Sequence, residues 1–217
     1  IDLGAPVVVK VAPDPEDRMA LSRIAFDASV SANRVTPLTV TAVMCLALLG
    51  TAPRGATAEE LARLTRFIAD WARARDIRLS EELAEFDRDE IRATADKLVN
   101  SGLILRDDAG RETVYTLDPA KHPMASYYRN SVIHHFLDKT LIELALFRLE
   151  EECGDDPLAC FWSEVERLRD LFKFEFFYPP REEFRRGIET ELGRTDGQWS
   201  AHLRAGPKGI KTLIRRF

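Results

Sequence analysis

The stretch LVNSGLILRDDAGRETVYTL, residues 98–117, decides the fold that the sequence predicts. Its first residues end a helical pattern, and Gly102 follows as the glycine that commonly stops a helix. Two alternating segments, LILR and ETVYTL, then flank DDAG, where Gly110 is suited to the left-handed position of a turn. The stretch therefore predicts the end of a helix followed by a two-stranded β-hairpin.

Two helical patterns stand near the start of the chain. A helix from about Asp17 to Val30 leads into SANRVTP, which has the composition of a turn. Pro37 suits the first turn of the next helix, TVTAVMCLALLG, and Gly50 closes it. Because this apolar run is too short to span a bilayer, we expect a buried helix.

Two further helices come directly before the hairpin. Thr57 and Glu60 form a capping box for AEELARLTRFIADWARAR, and Asp87 with Glu90 does the same for RDEIRATADKLVNSG. Helix, helix, helix and hairpin is the order of a winged-helix unit. The positions predicted to face the core of this unit are Leu61, Leu64, Phe67, Ile68, Trp71, Ile91, Ala95 and Leu98.

The second half reads as helices alone. One long helix is expected from about Ser126 to Glu152, and a second, LACFWSEVERLRDLFKFEFFYPP, ends at Pro179 and Pro180. REEFRRGIETEL, the loop GRTDGQWS and a basic helix GPKGIKTLIRRF follow. The predicted fold class is mainly α, with a winged-helix-like unit that has one β-hairpin (about 31–121) followed by a helical unit.

Charge argues against reading nucleic acid. The net charge is −5, and the third helix opens with Asp87, Arg88, Asp89 and Glu90 where a winged-helix protein would meet DNA. The hairpin tip RDDAGRE also carries three acids against two bases, whereas phosphate contacts need several cations. We therefore interpret the winged-helix-like unit as a packing device with no nucleic-acid partner. A winged-helix transcriptional regulator is kept as the alternative.

No catalytic constellation is evident in the sequence. His134 stands four residues before Asp138, a spacing that fits either an oriented general base or an ordinary pair within a helix. No serine elbow, phosphate loop, zinc pattern or HExxH occurs. The three cysteines, Cys45, Cys153 and Cys160, are interpreted as free thiols. We predict no catalytic residue, no metal site and no cofactor.

A polar cluster opens the long helix. We predict that it contacts either a neighbouring domain or an anion, because backbone N–H groups at a helix N-terminus favour negative partners. Its members are Tyr127, Tyr128, Arg129, Asn130 and His134.

The chain ends in basic residues interleaved with apolar ones. This pattern fits an amphipathic helix on an anionic membrane surface, and equally a helix whose apolar stripe faces the core while its charges are solvated. The cations are Lys208, Lys211, Arg215 and Arg216, and the apolar residues are Ile210, Leu213, Ile214 and Phe217.

Three segments carry a resemblance to a known family. SYYRNSVIHHFL (126–137) resembles a tyrosine-tyrosine-arginine-asparagine segment, followed by histidine, of the membrane-associated glycerol-3-phosphate acyltransferases of bacteria and mitochondria. SANRVTPLTVTAVMCLALLGTAPRGATAEELA and RDLFKFEFFYPPREEFRRGIETEL look like two other segments of that family. IDLGAPVVV, with Gly4 and Pro6, is similar to the closing strand of its acyltransferase domain. The resemblance covers roughly residues 1–192.

The resemblance implies an activity for the whole protein. This family transfers an acyl group from acyl-CoA or acyl carrier protein to the 1-position of glycerol 3-phosphate, the first step of phospholipid synthesis. Its catalytic motif, His-x4-Asp, is absent, because Tyr127, Lys139, Thr140 and Pro207 stand five residues after the four histidines. The Glu-Gly-x-Arg-Ser phosphate motif is absent too.

By resemblance, the chain is therefore expected to be the non-catalytic C-terminal region of such an enzyme, with three parts. These are the tail of an upstream acyltransferase domain (1–12), a linker helix with the winged-helix-like unit (13–121) and a C-terminal helical unit (122–217). The expected partners are the upstream acyltransferase domain, acyl-CoA or acyl carrier protein, and an anionic membrane surface. The expected location is peripheral, at the cytoplasmic face of the cell membrane.

Overall fold

The computed structural model describes residues 17–85, 88–152 and 154–217. The predicted strand at 7–11, the capping residue Asp87 and Cys153 lie outside these residues. Contacts divide the chain into two compact units, 1–134 and 135–217. The described residues are mainly helical with one small antiparallel sheet, which confirms the predicted fold class.

The first unit contains helices and three short strands. The helices are α1 Ala20–Val35, α2 Val40–Thr51, α3 Ala58–Arg73, α4 Glu81–Ala84, α5 Arg88–Asn100 and α6 His122–Asn130. The strands are β1 Ala56–Thr57, β2 Ile104–Asp107 and β3 Val114–Leu117. Helix α1 continues to Val35, so most of the predicted turn SANRVTP is helical.

Helix α2 is the centre of this unit because its sequence is apolar on every side. It packs against α3, α5, α6 and β3. The helix begins after Thr39, whose hydroxyl accepts a hydrogen bond from Ala42 N at 3.2 Å. Pro37 therefore lies before the helix, and Gly50 lies inside it, contrary to prediction. The buried residues of α2 are Val40, Ala42, Val43, Met44, Cys45, Ala47 and Leu48.

The capping box of α3 is confirmed. Glu60 N donates to the Thr57 hydroxyl at 3.1 Å, and Thr57 N donates to Glu60 Oε2 at 2.9 Å. The predicted apolar stripe is wrong at Phe67, which is 62% exposed. The helix instead turns its small residues inward, because small side chains let neighbouring helices approach closely. Besides Leu61, its buried residues are Ala62, Thr65, Ala69 and Ala72.

Gly102 ends α5 as predicted. Its φ is +70°, its N–H donates to Val99 O at 2.9 Å, and Leu103 N donates to Leu98 O at 3.0 Å. This pair of hydrogen bonds is the Schellman motif, which needs a left-handed residue that glycine supplies without strain. The predicted inward residues of α5, namely Ile91, Ala95 and Leu98, are buried.

The hairpin is confirmed, but its turn differs from the prediction. Strands β2 and β3 pair from Ile104 opposite Leu117 to Asp107 opposite Val114, which leaves the six residues 108–113 as the loop. Among the described glycines, a positive φ occurs at 55, 102 and 206, so the predicted left-handed Gly110 is wrong. Six residues can reverse the chain direction without a tight turn at DDAG, so Gly110 does not need a left-handed conformation.

A third strand completes the sheet, with the order β1-β3-β2. Strand β1 pairs antiparallel with β3, Ala56 opposite Tyr115. The sequence did not predict β1, because two residues are too few to show an alternating pattern. The predicted order of three helices and a hairpin is present as α2, α3, α5 and β2–β3, with β1 and the short helix α4 as additional elements. The winged-helix-like character of the unit stays a prediction.

The second unit is helical throughout the described residues. Its helices are α7 Leu137–Glu151, α8 Pro157–Phe172, α9 Arg181–Thr195, α10 Trp199–Arg204 and α11 Pro207–Ile214. They enclose one hydrophobic core: Leu141, Ile142, Ala145, Leu146, Leu149, Phe161, Trp162, Val165, Leu168, Phe184, Ile188, Leu192, Leu203, Ile210 and Leu213.

Three predicted boundaries in this half are wrong. The expected long helix is broken, because α6 ends at Asn130, a 3-10 turn occupies Ile133–Phe136, and α7 begins afterwards. Val132, at the break, is completely buried. Helix α8 ends at Phe172, well before the prolines. Most of the predicted loop GRTDGQWS is helical, because α9 runs to Thr195 and α10 begins at Trp199.

Gly209 is predicted to be essential to the packing of α11 on α10. A Cβ atom there would lie 1.8 Å from the carbonyl oxygen of His202, so Gly209→Ala should lower the free energy of unfolding by about 2 kcal/mol or more. Gly193→Ala in α9 is the matched control, because a Cβ atom there meets nothing within 4 Å. We expect the control to be neutral or stabilising by up to ~1 kcal/mol. Urea unfolding measures both, and equal effects would contradict the packing argument.

Candidate functional site

The predicted contact cluster lies at the end of α6, not at the start of a helix. Helix α6 begins at His122, with Pro123 in its first turn, and Tyr127, Tyr128, Arg129 and Asn130 form its last turn. The prediction of a helix N-terminus at this cluster is therefore wrong. Carbonyl groups at a helix C-terminus favour cations, so the backbone here does not attract an anion.

Within the cluster, Asn130 orients the guanidinium of Arg129. Arg129 Nε and Nη2 both donate to Asn130 Oδ1, at 3.1 and 2.9 Å. Tyr127 is 73% exposed and stands edge-to-face against Tyr128, with ring centroids 5.7 Å apart. The last turn of α6 thus presents an aromatic ring and an oriented guanidinium, a combination suited to a protein surface that carries a carboxylate.

His134 contacts a different element. Its Nε2 lies 2.8 Å from the carbonyl oxygen of Asn33, near the end of α1. Because a carbonyl oxygen only accepts, this nitrogen carries the proton. The predicted pairing with Asp138 rested on one continuous helix. That helix is absent, since His134 lies in the 3-10 turn and Asp138 in α7.

Two neighbouring carboxyl groups in the second unit, the half-buried Asp138 and the buried Glu191, were not predicted as a pair. A Cβ atom on Gly187 would lie 3.0 Å from Asp138 Oδ2, so glycine permits this close approach to α9. Glu191 is 6% exposed. Burial, with a smaller contribution from the charge of Glu191, raises the pKa of Asp138 to about 6. No local signal predicts this pair, because its members are far apart in sequence.

Tyr178 belongs to the same neighbourhood. Burial and the Asp138 carboxyl raise the pKa of Tyr178 to about 12, against the opposing effect of Arg169. The guanidinium carbon of Arg169 lies 5.4 Å from the ring centroids of both Tyr178 and Phe184, and Arg169 Nη2 donates to Pro179 O at 3.1 Å. These groups hold the segment after α8 against α9. We assign them a structural role.

The prediction that α11 lays its apolar face on lipid is wrong. Ile210 and Leu213 are completely buried, and Ile214 and Phe217 pack against the same core. The alternative interpretation, a core-facing stripe with solvated charges, describes the structure. Lys208, Lys211 and Arg215 are exposed, and their contact with an anionic membrane surface stays a prediction.

Arg216, which follows α11, differs from the other basic residues at this end of the chain because it has an acidic partner. Its Nη1 lies 3.0 Å from Asp196 Oδ2, and His202 Nε2 lies 3.4 Å from the same oxygen. The Asp196 side chain is only 3% exposed, and its Oδ1 accepts from Gln198 N at 2.8 Å. Asp196 therefore joins the α9–α10 connection to α10 and to the residues after α11.

The described cysteines are Cys45 and Cys160. Cys45 is completely buried, as predicted, and burial raises the pKa of its thiol to about 11. A thiol with this pKa is not an activated nucleophile. Cys160 is half-buried and unbonded to another cysteine. Residues 17–85, 88–152 and 154–217 contain no group of three or more ligating side chains placed to hold a metal ion.

A shallow pocket of about 340 Å³ lies between the first turns of α3 and α5. Its lining is Ala58, Glu59, Ala62, Asp89 and Arg92. With two carboxylates against one guanidinium, it does not suit a phosphate group. Across the described ranges, no helix combines the length and the apolar character needed to cross a bilayer.

Asp138 is predicted to make the stability of the chain depend on pH. Its folded-state pKa of about 6 exceeds the ordinary 3.8, so the folded state holds a proton in this interval that the unfolded state releases. Stability should therefore fall as the pH rises from about 4 to about 6. Asp138→Asn should remove this pH dependence and raise the free energy of unfolding at neutral pH by ~2 kcal/mol. At a pH near the ordinary pKa of aspartate, the substitution should have little effect.

The measurement is urea unfolding across that pH range. The control is Asp155→Asn, which removes an exposed carboxylate from the α7–α8 connection. A difference between wild type and Asp138→Asn that does not change with pH would show that the Asp138 carboxyl titrates normally.

Comparison with known proteins agrees with the resemblance seen in the sequence. The family described as "Glycerol-3-phosphate acyltransferase C-terminal region" matches residues 9–209, so the similarity extends beyond residue 192, where we expected it to end. "Putative acyltransferase plsB1" of Mycobacterium bovis and that of Mycobacterium tuberculosis are each 36% identical over 174 residues, or 79% of this chain. The matched region is 28% of the length of each relative. The chain belongs to the glycerol-3-phosphate acyltransferase C-terminal region family.

Proposed function

We propose that this chain is the non-catalytic C-terminal region of a glycerol-3-phosphate 1-acyltransferase. Its role is to scaffold the acyltransferase domain, which transfers the acyl group from acyl-CoA or acyl carrier protein. The observation that carries this proposal is the family match over residues 9–209. The sequence adds support, because it contains no His-x4-Asp to deprotonate the glycerol hydroxyl.

The folded chain has properties that suit a scaffold. Each unit encloses its own apolar core, and buried polar groups such as Asp196 join elements within the second unit. A rigid support can hold a catalytic domain in a productive geometry without touching the reacting atoms. The family is membrane-associated, and we place this chain peripherally at the cytoplasmic face of the membrane.

The alternative, a winged-helix regulator, is disfavoured by the hairpin. Arg106, the cation best placed to meet a phosphate from β2, lies 2.8 Å from Asp108 and 3.3 Å from Asp96. Arg106 also holds the pKa of Asp108 below its ordinary value, after the larger effect of a hydrogen bond from Thr113. The release of counterions from DNA is the main source of a protein's affinity for DNA, and an arginine already paired with carboxylates does not cause it.

The proposed function predicts that acyl transfer requires a catalytic domain in addition to this chain. We would replace the matched C-terminal region of the mycobacterial relative with this chain and measure formation of 1-acylglycerol 3-phosphate. The chimera should be active, the relative truncated of that region should lose activity, and this chain alone should show none. Acyl transfer by this chain alone, or a folded but inactive chimera beside an active intact relative, would contradict the proposal.

For the cluster on α6, we propose a contact with the acyltransferase domain. Arg129→Lys in the active chimera keeps the charge but loses the planar fork that Asn130 orients. We expect a lower melting temperature with an unchanged KM for glycerol 3-phosphate. The control is Arg63→Lys on the exposed side of α3, which should change neither quantity.

A raised KM with unchanged stability would instead assign Arg129 to the substrate phosphate. Behaviour identical to the Arg63→Lys control would show that the cluster is an ordinary helix surface.

A further inference from the structure

The connection from α8 to α9 exposes large apolar side chains at a fixed position. Leu171, at the end of α8, is 59% exposed, and Phe174, in the turn that follows, is 86% exposed. Phe174 thus makes almost no contact with its own protein. Soluble proteins tolerate single exposed apolar residues, but a projecting group of them marks an interaction surface.

The neighbouring aromatic residues hold this turn in place. Phe172 packs against the core and meets Phe176 edge-to-face, with ring centroids 6.3 Å apart. Glu175 N and Phe176 N donate to Phe172 O at 2.9 and 3.0 Å. Inward-facing aromatics therefore anchor the turn, while Leu171 and Phe174 point outward and add nothing to that packing. Leu171 and Phe174 are therefore exposed although the turn that carries them is held against the core.

The charges beside this tip suit a lipid surface. Lys173 stands next to Phe174, with its ammonium 5.2 Å from the ring centroid, and can extend to the polar headgroups while its stem covers apolar surface. The carboxylates of Glu166 and Asp170, on the last turns of α8, lie 2.9 and 3.3 Å from Arg181. Glu175 is the acid of the turn itself and balances Lys173, so the tip carries no net charge.

A second exposed pair of apolar side chains in the same unit serves as a comparison for the tip. Leu144 and Phe147 on α7 have the same spacing and are 41% and 51% exposed. This pair is less exposed and lies flat on a helix. Acids follow it as they do at the tip, and Glu151 and Glu152 are paired with Arg148 at 3.5 and 2.7 Å. The two pairs share residue types and differ in how far their side chains project from the fold.

We propose that the tip formed by residues 171–175 is a membrane-contact element, in which the side chains of Leu171 and Phe174 insert into the interfacial layer of a lipid bilayer. A bilayer accepts a projecting leucine and phenylalanine without a complementary groove, and a lysine beside them suits its headgroups. This inference goes beyond the proposed scaffold role. It also differs from a basic-helix contact, because apolar insertion by a neutral tip requires neither anionic lipid nor low salt.

Vesicle flotation of the 217-residue chain tests the inference. Wild type should float with vesicles of phosphatidylcholine alone as well as with those containing phosphatidylglycerol, and high salt should release little of it. The variant L171S/F174S should bind about a hundredfold more weakly, roughly tenfold for each removed side chain. The matched control L144S/F147S should bind like wild type. All three should share one melting temperature, because the substituted residues are exposed.

Phe174→Trp provides a direct readout of insertion. It should preserve binding, and its extra tryptophan emission should shift to shorter wavelength when vesicles are added. Failure of wild type to float with phosphatidylcholine vesicles would overturn the inference, as would equal binding by L171S/F174S or equal loss in the control. If L171S/F174S left flotation unchanged but lowered the stability of the acyltransferase chimera, the tip would be a protein contact instead. Flotation measures no acyl transfer, so it remains informative if the proposed function fails.

Discussion

The first unit depends on the burial of α2, a helix that has no polar face. Such a helix is stable in water only when other elements cover all its sides. Helices α3, α5 and α6 and strand β3 provide that cover. The position of α6 is thus set by an apolar requirement of α2. The residues in the last turn of α6, including Arg129, are carried to the surface as a consequence.

The second unit combines an apolar core with a few buried charged groups. Gly187 and Gly209 allow two close approaches, one to the carboxyl of Asp138 and one to the backbone of His202. Tight packing of this kind excludes water, which is why the pKa of Asp138 is raised. Asp196 is more deeply buried than Asp138, and Arg216 and His202 stand beside it. A buried charge with partners fixes one arrangement of its elements, whereas an isolated one costs stability.

Packing also decides which surfaces are free to meet other molecules. The apolar stripe of α11 is used inside the unit, so its exposed lysines and arginine offer only charge to a membrane. The turn after α8 has the reverse character. Its inner aromatics satisfy the core, and Leu171 and Phe174 are left outside. The two membrane contacts that we propose, one through charge and one through apolar insertion, therefore lie on different elements of one unit.

The sequence by itself determined the features that depend on neighbouring residues. The capping box of Thr57 and Glu60, the glycine stop at Gly102 and the hairpin pairing of β2 with β3 were all predicted. Each arises from hydrogen bonds or alternation within a short stretch, so the local sequence contains the whole cause. Family membership was also accessible from the sequence, because SYYRNSVIHHFL carried the resemblance that the family match bears out.

Only the tertiary structure decided which side of each helix packs against the core. The break between α6 and α7, the exposure of Phe67 and the burial of Ile210 could not be predicted, because each depends on elements distant in the chain. The same holds for the site. The sequence singled out the candidate residues of the α6 cluster but placed them at the wrong end of a helix, and it paired Asp138 with His134 and did not predict its position beside Glu191. Periodicity shows that a helix has an apolar side, but the partner that covers this side is known only when the whole unit has packed.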